Sequence, residues 1–297
     1  MEIKASMVKE LRDKTGAGMM DAKKALVEAQ GDMEKAAELL RQKGIASADK
    51  KMGRIAAEGV VASYIDEEGS VGAMVEMNCE TDFVAKNENF KELASMMAKA
   101  VSVLNPSTVE EMLEMDCPVC NKKIDDVVKE QIAKIGEKIT IRRFIRYSSD
   151  DNCVNTYIHN GKIGVLLETN CKECSDETQA IAKDICLHIA SCAPEYVSRN
   201  EIPQAVIDED TRIEMGKEDL ANKPEAIRAK IVEGRVNKQM AQKVLLEQGF
   251  VKNPDQTIEQ LVEGKMTIVK FERFVLGEGL EKRQDNFAEE VMGQIKG

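Results

Sequence analysis

The side chains best suited to chemistry in this 297-residue chain are its eight cysteines and two histidines. Two Cys-x-x-Cys pairs, Cys117/Cys120 and Cys171/Cys174, have the spacing of zinc knuckles, and together they could offer four thiolates to one tetrahedral ion. About 50 residues separate the pairs, so folding would have to bring them together. The other reading is free, mostly buried thiols, the default in a reducing compartment. His159 and His188 do not make the His-Glu-x-x-His pair of a zinc hydrolase, and His188 lies between apolar neighbours, packed rather than catalytic. Neither Gly16-x-Gly18 nor Gly277-x-Gly279 extends to a dinucleotide fingerprint, because Asp21 and Lys282 stand where the third glycine belongs. A Gly-x-x-x-x-Gly-Lys phosphate loop is absent too. Carboxylates are so abundant that no pair stands out as an acid and base. The chemistry expected is that of a binding protein with no cofactor, not of an enzyme.

Bulk properties narrow the partners. A net charge of -11 would repel a polyanion, so direct nucleic-acid binding is not expected. The one dense basic stretch, Arg142-Arg143-Phe144-Ile145-Arg146, alternates as a strand with one solvated face does. No apolar run approaches the roughly 20 residues of a membrane span, and the start of the chain lacks a signal-peptide core, so a cytoplasmic location without membrane contact is expected. With no Trp, 4% aromatic residues and 16 Met, aliphatic and Met side chains must fill the core.

The elements follow from periodicity. Ile3, Met7 and Leu11 form an apolar stripe, Thr15-Gly16-Ala17-Gly18 interrupts it, and a second helix runs from about Met19 through Ala22, Ala25 and Leu26. Asp32 is placed to cap a third helix carrying Met33, Ala36, Ala37 and Leu40. The charged stretch Ser47 to Lys51 reads as a linker. Beyond it lies an internal repeat. Val71-Gly72-Ala73-Met74-Val75-Glu76-Met77-Asn78-Cys79 matches Ile163-Gly164-Val165-Leu166-Leu167-Glu168-Thr169-Asn170-Cys171 at a constant offset of 92. Each copy reads as strand, turn, strand, loop and helix, which predicts an α+β core of two similar subdomains with antiparallel sheets. A helical hairpin, with Pro224 in the first turn of its second helix, precedes a strand over 267–275, a turn at Gly277-Glu278-Gly279 and a closing helix over 287–295.

Residues 79 to 90 read Cys-Glu-Thr-Asp-Phe-Val-Ala-Lys-Asn-Glu-Asn-Phe, which resembles the signature of the elongation factor Ts family. The segment Leu11 to Leu26 is similar to that family's ubiquitin-associated-type (UBA-like) domain. Lys134-Ile135-Gly136-Glu137 with Arg142-Arg143, Glu233-Gly234-Arg235 and Gly277-Glu278-Gly279-Leu280 match further, in family order along essentially the whole chain. Cys117/Cys120 and Cys174 depart from the common pattern.

The resemblance implies a guanine-nucleotide exchange factor that performs no bond chemistry. It would bind elongation factor Tu in its GDP-bound and nucleotide-free states and promote GDP loss. Thr81, Asp82, Phe83 and Val84 would dislocate the partner's magnesium ion. Arg12, Met19, Met20, Lys23 and His159 would make further partner contacts, with at least one of the two methionines packed inside. The implied organisation is a UBA-like three-helix domain and linker over 1–54, a core N-subdomain over 55–140, a core C-subdomain over 141–202, a coiled-coil-like hairpin over 203–248 and the remainder of the C-subdomain over 249–297. The hairpin aids dimerisation in some members, so a homodimer through it is a further expectation. Two questions stay open: Phe83 is either an exposed anchor or a cap on its own core, and Asp82 either faces the partner or caps the following helix. The second repeat carries Glu173-Cys174-Ser175-Asp176 at the corresponding place, with no aromatic, so exchange activity is expected of the first copy alone.

Overall fold

A computed structural model describes residues 3–149, 151–171, 175–221 and 223–281. The chain is α+β and divides into two compact units. One comprises Met1–Ala62, Val75–Phe144 and Val275–Gly297; the other comprises Ser63–Met74 and Ile145–Phe274.

The first unit begins with helices α1 (Ala5–Thr15), α2 (Met19–Glu28) and α3 (Met33–Lys51). Gly16 ends α1 in a left-handed conformation, φ 70°, and donates its N–H to Arg12 O at 2.7 Å. Val8, Leu11, Ala22, Ala25, Leu26 and Ala36 close a small core among the three helices. Asp32 caps α3 as expected, its Oδ1 accepting the N–H groups of Glu34 and Lys35 at 3.0 and 3.1 Å. The linker expected over 47–51 is instead the last part of α3. The stretch contains neither Gly nor Pro to break the helix, and Ala48 is buried.

Strands β1 (Glu58–Ile65) and β2 (Val71–Cys79) follow, then α4 (Asp82–Ala85), α5 (Glu88–Leu104), α6 (Val109–Glu114), α7 (Ile124–Ile135) and β3 (Ile139–Ser148). The sheet order is β1-β2-β3. Helix α3 packs on α7, so closely that a Cβ at Gly44 would lie 2.8 Å from the Ala133 Cβ.

In the second unit, β4 (Cys153–His159) and β5 (Ile163–Cys171) form an antiparallel hairpin, in register from Cys153 opposite Thr169 to His159 opposite Ile163. Its turn is Asn160-Gly161, both with positive φ, the conformation that two-residue hairpins require. Helix α8 (Asp176–Cys192) packs on both strands. Next come α9 (Gln204–Met215) and α10 (Glu225–Lys243), packed as the expected hairpin with Pro224 at the α10 N-cap. Strands β6 (Gly249–Phe250) and β7 (Asn253–Thr257) pair with each other, and α11 (Ile258–Val262) precedes β8 (Met266–Val275), which completes the sheet β4-β5-β8.

The repeat is visible in chemistry as well as in topology. Glu76 of β2 and Glu168 of β5, equivalent residues of the two copies, are both buried and both held by cations. Glu76 accepts from Arg142 at 2.9 Å, Arg143 at 2.7 Å and the Gly277 N–H at 2.8 Å. Burial would raise its pKa, yet these donors together hold it below the ordinary carboxylate value. Glu168 has Lys270 at 3.0 Å and Asn152 at 2.6 Å. The basic stretch at 142–146 is therefore a strand, as expected, but all five residues are half-buried rather than alternating with a solvated face, because two of its arginines bind an internal carboxylate.

The Met-rich core is equally plain, with Met74, Met77, Met97 and Met112 fully buried. Among the described residues, no helix is long and apolar enough to cross a membrane. The closing helix expected over 287–295 lies outside the described residues.

Candidate partner-docking site

Strand β2 ends at Cys79, and the chain turns at once into α4, so Thr81 to Val84 form one helical turn rather than an irregular loop. Thr81 is the N-cap, its Oγ1 accepting the Val84 N–H at 3.4 Å. Asp82 is the first helical residue, so it is not the cap that its position suggested. It pairs instead with Lys86 one turn on, at 2.6 Å. Ala85 faces inward and is buried, and Asn87 caps α5. Phe83 points the other way. At 81% exposure it is the most exposed large apolar side chain of the described residues, which settles the open question in favour of the exposed reading. The Lys86 Nζ lies 6.0 Å from its ring centre.

The turn is held from behind by the residues that follow α7. Gly136 closes α7 with φ 86° and delivers Glu137 against the 80–81 backbone. The Glu137 carboxylate accepts from Glu80 N–H at 3.2 Å, Thr81 N–H at 3.0 Å and Thr81 Oγ1–H at 2.7 Å. Glu80 returns the interaction, accepting the Lys138 N–H at 2.6 Å while pairing with Arg54 at 3.1 Å. The Cys79 thiol donates to Thr81 O at 3.2 Å; burial, with Glu137 nearby, pushes its pKa up to about 12, so it stays a neutral donor. None of Glu80, Glu137 or Arg54 is singled out by sequence spacing as a site residue. Glu80 and Glu137 do fall within the two stretches that resemble the family's, and the helix-stop glycine at 136 hints that residue 137 begins a loop.

The other expected contact residues are dispersed. Arg12 and Lys23 are exposed on α1 and α2 of the first unit. Met19 and Met20 are both exposed, at 49% and 63%, which corrects the expectation that one packs inside. They occupy the first turn of α2, ahead of its buried stripe Ala22, Ala25 and Leu26. His159 lies in the second unit, exposed at the end of β4, with Nδ1 3.0 Å from Tyr157 Oη and Nε2 3.3 Å from Asn160 Nδ2. The module containing Arg12 touches the strut that carries Glu137, since a Cβ at Gly16 would lie 3.2 Å from Lys134 Cγ of α7.

For the cysteines, the Cys117/Cys120 pair forms a tight turn: Cys117 N–H donates to Lys122 O at 2.7 Å, and Asn121 N–H donates to Cys117 O at 2.9 Å. Both thiols are free, Cys117 buried and Cys120 exposed. Cys171 is free, and Cys174 lies outside the described residues. Among the described residues, no three His, Cys, Asp or Glu side chains gather to hold a metal ion. Cys153 is disulfide-bonded, a departure from free thiols that spacing alone cannot reveal.

The fold and this site define an α+β protein that presents an aromatic side chain on a short, tied-down turn. The family model for elongation factor TS matches residues 80–278. Among similar proteins, the elongation factor Ts of Clostridium acetobutylicum is 47% identical over 87% of this chain and 85% of its own length. That of Alkalilimnicola ehrlichii is 45% identical over the full length of both, and that of a Nostoc species is 44% identical over 87% of this chain and 85% of its own. The chain belongs to the elongation factor Ts family.

Proposed function

We propose that this chain, a translation elongation factor by family, is the guanine-nucleotide exchange factor of an elongation factor Tu. It docks on the GDP-bound partner and inserts Phe83 among the loops that hold magnesium and phosphate. The metal's bridging contacts weaken, GDP leaves, and GTP enters the emptied site. The observation that carries this reading is Phe83, 81% exposed on a turn whose backbone is fixed by Glu137. An aromatic carried on a backbone that is already fixed loses little backbone entropy on docking, and burying it yields about 1.5–3 kcal/mol. Thermodynamic linkage sets the scale required. A 100-fold weakening of GDP corresponds to about 2.7 kcal/mol, within reach of one buried anchor plus lost metal contacts. No covalent step is needed.

Asp82 and Val84 flank the wedge, and Arg12, Met19, Met20 and Lys23 offer a mixed apolar and basic surface for grip. His159 adds a polar contact from the second unit. Exposed Ile213, Met215 and Ile227 on α9 and α10 support a second role for the hairpin over 203–248, as a homodimer contact. The deciding experiment follows release of fluorescently labelled GDP from the cognate elongation factor Tu with and without this chain. The rate should rise with concentration to a plateau. An unchanged rate at micromolar concentrations of the wild-type chain would sink the proposal.

A further inference from the structure

Resting on that reading, we infer that Glu137 is a positioning residue for exchange: its carboxylate fixes the backbone of residues 80–81 and so aims Phe83 at the partner. Three donors converge on this one carboxylate, two backbone N–H groups and the Thr81 hydroxyl, at 3.2, 3.0 and 2.7 Å. Bonds to an ionised acceptor are stronger than neutral ones, and two of these replace backbone pairing that the chain gives up as it leaves β2. The same Thr81 hydroxyl oxygen then accepts the Val84 N–H, so the carboxylate orients the very group that caps the turn carrying Phe83. The strap is reciprocal. Glu80 accepts the Lys138 N–H at 2.6 Å, and Lys138 Nζ donates to Arg54 O at 2.9 Å, closing a ring of contacts around the base of the turn.

Glu137 touches neither nucleotide nor metal in this scheme. It acts through Phe83. Without it the turn must be ordered during docking, which penalises wedge insertion but leaves initial capture by other surfaces intact. Glu137→Ala should therefore lower the plateau rate of GDP release about tenfold, the factor that freeing one backbone residue produces, with little change in the half-saturating concentration. Glu137→Gln, which keeps an acceptor for the two N–H groups, should restore most of the loss.

Amide hydrogen exchange at Thr81 to Val84 reads the strap without reference to activity. It should accelerate in Glu137→Ala, while the melting of the whole chain shows that both variants fold. A double-mutant cycle with Phe83→Ala completes the test. If Glu137 works through the aromatic, Glu137→Ala adds nothing once Phe83 is gone. Unchanged amide protection, or an equal fall in the Phe83→Ala background, overturns the inference. A wild-type chain that fails to release GDP removes the exchange reading beneath it, and the amide data then show separately whether the strap exists.

Discussion

Phe83 and His188 illustrate two uses of an aromatic ring, one left in water and one sealed inside. Because Phe83 is 81% exposed, Phe83→Ala should change unfolding stability by no more than about 0.5 kcal/mol while slowing GDP release at least tenfold. Paired urea melts and stopped-flow release check both halves of that statement. His188 is fully buried on α8. Its Nδ1 accepts the Val251 N–H at 3.1 Å, so Nε2 carries the proton and donates to Gln248 Oε1 at 2.8 Å. Burial holds its pKa below the ordinary 6.5, against the raising effect of the Gln248 bond. The unfolded chain thus takes up this proton at higher pH than the folded one does. The stabilisation is complete above the unfolded pKa and is lost as pH falls through it toward the folded value. Urea midpoints should fall as the pH is lowered from about 7.5 to about 5.5, and the His188→Gln slope should be shallower. The packed character of His188 was legible from its apolar neighbours. The exposure of Phe83 was not, because a single aromatic in a polar stretch fits either an anchor or a cap until the turn's direction is known.

At the scale of elements, α7 is the strut on which the site depends. It packs on α3, touches the α1–α2 turn through Lys134, and ends at the glycine that presents Glu137. The approach of α3 to α7 is close because residue 44 has no side chain. Gly44→Val would press a branched group where even a Cβ sits 2.8 Å from Ala133, and should cost about 1–3 kcal/mol in urea unfolding despite valine's better helix propensity. Much of this layer could be read in advance. The repeat at offset 92, the cap at Asp32, the helical hairpin broken near Pro224 and the strand over 142–146 all follow from local pattern, although Pro224 stands one residue before its helix rather than in the first turn. Two of the failures share a cause. The end of α3 and the true cap at Thr81 depend on tertiary partners, a buried Ala48 in one case and the Glu137 carboxylate in the other. Contacts across 56 residues leave no trace in local periodicity.

For the whole molecule, reciprocity is the strictest expectation. Whatever factor this chain imposes on GDP affinity, GDP must impose on its own affinity for the partner. Titrations of nucleotide-free and GDP-loaded elongation factor Tu should give a ratio equal to the change in the GDP dissociation constant, and unequal factors would refute a closed exchange cycle. A different constraint comes from Gly277. Its N–H reaches a carboxylate 201 residues earlier, while Val275 O and Glu278 O receive Arg143 and Arg142. A side chain at 277 would meet Ala57 O at 2.6 Å. During synthesis Glu76, Arg142 and Arg143 all leave the ribosome well before this clasp exists. At 5–20 residues per second the interval after Glu76 is roughly 10–40 s. The first unit is begun early and finished last. Until then its nascent form lacks the Gly277 N–H on Glu76 and the Val275 and Glu278 carbonyls on the two arginines, and a premature stop before residue 275 leaves those contacts unmade for good.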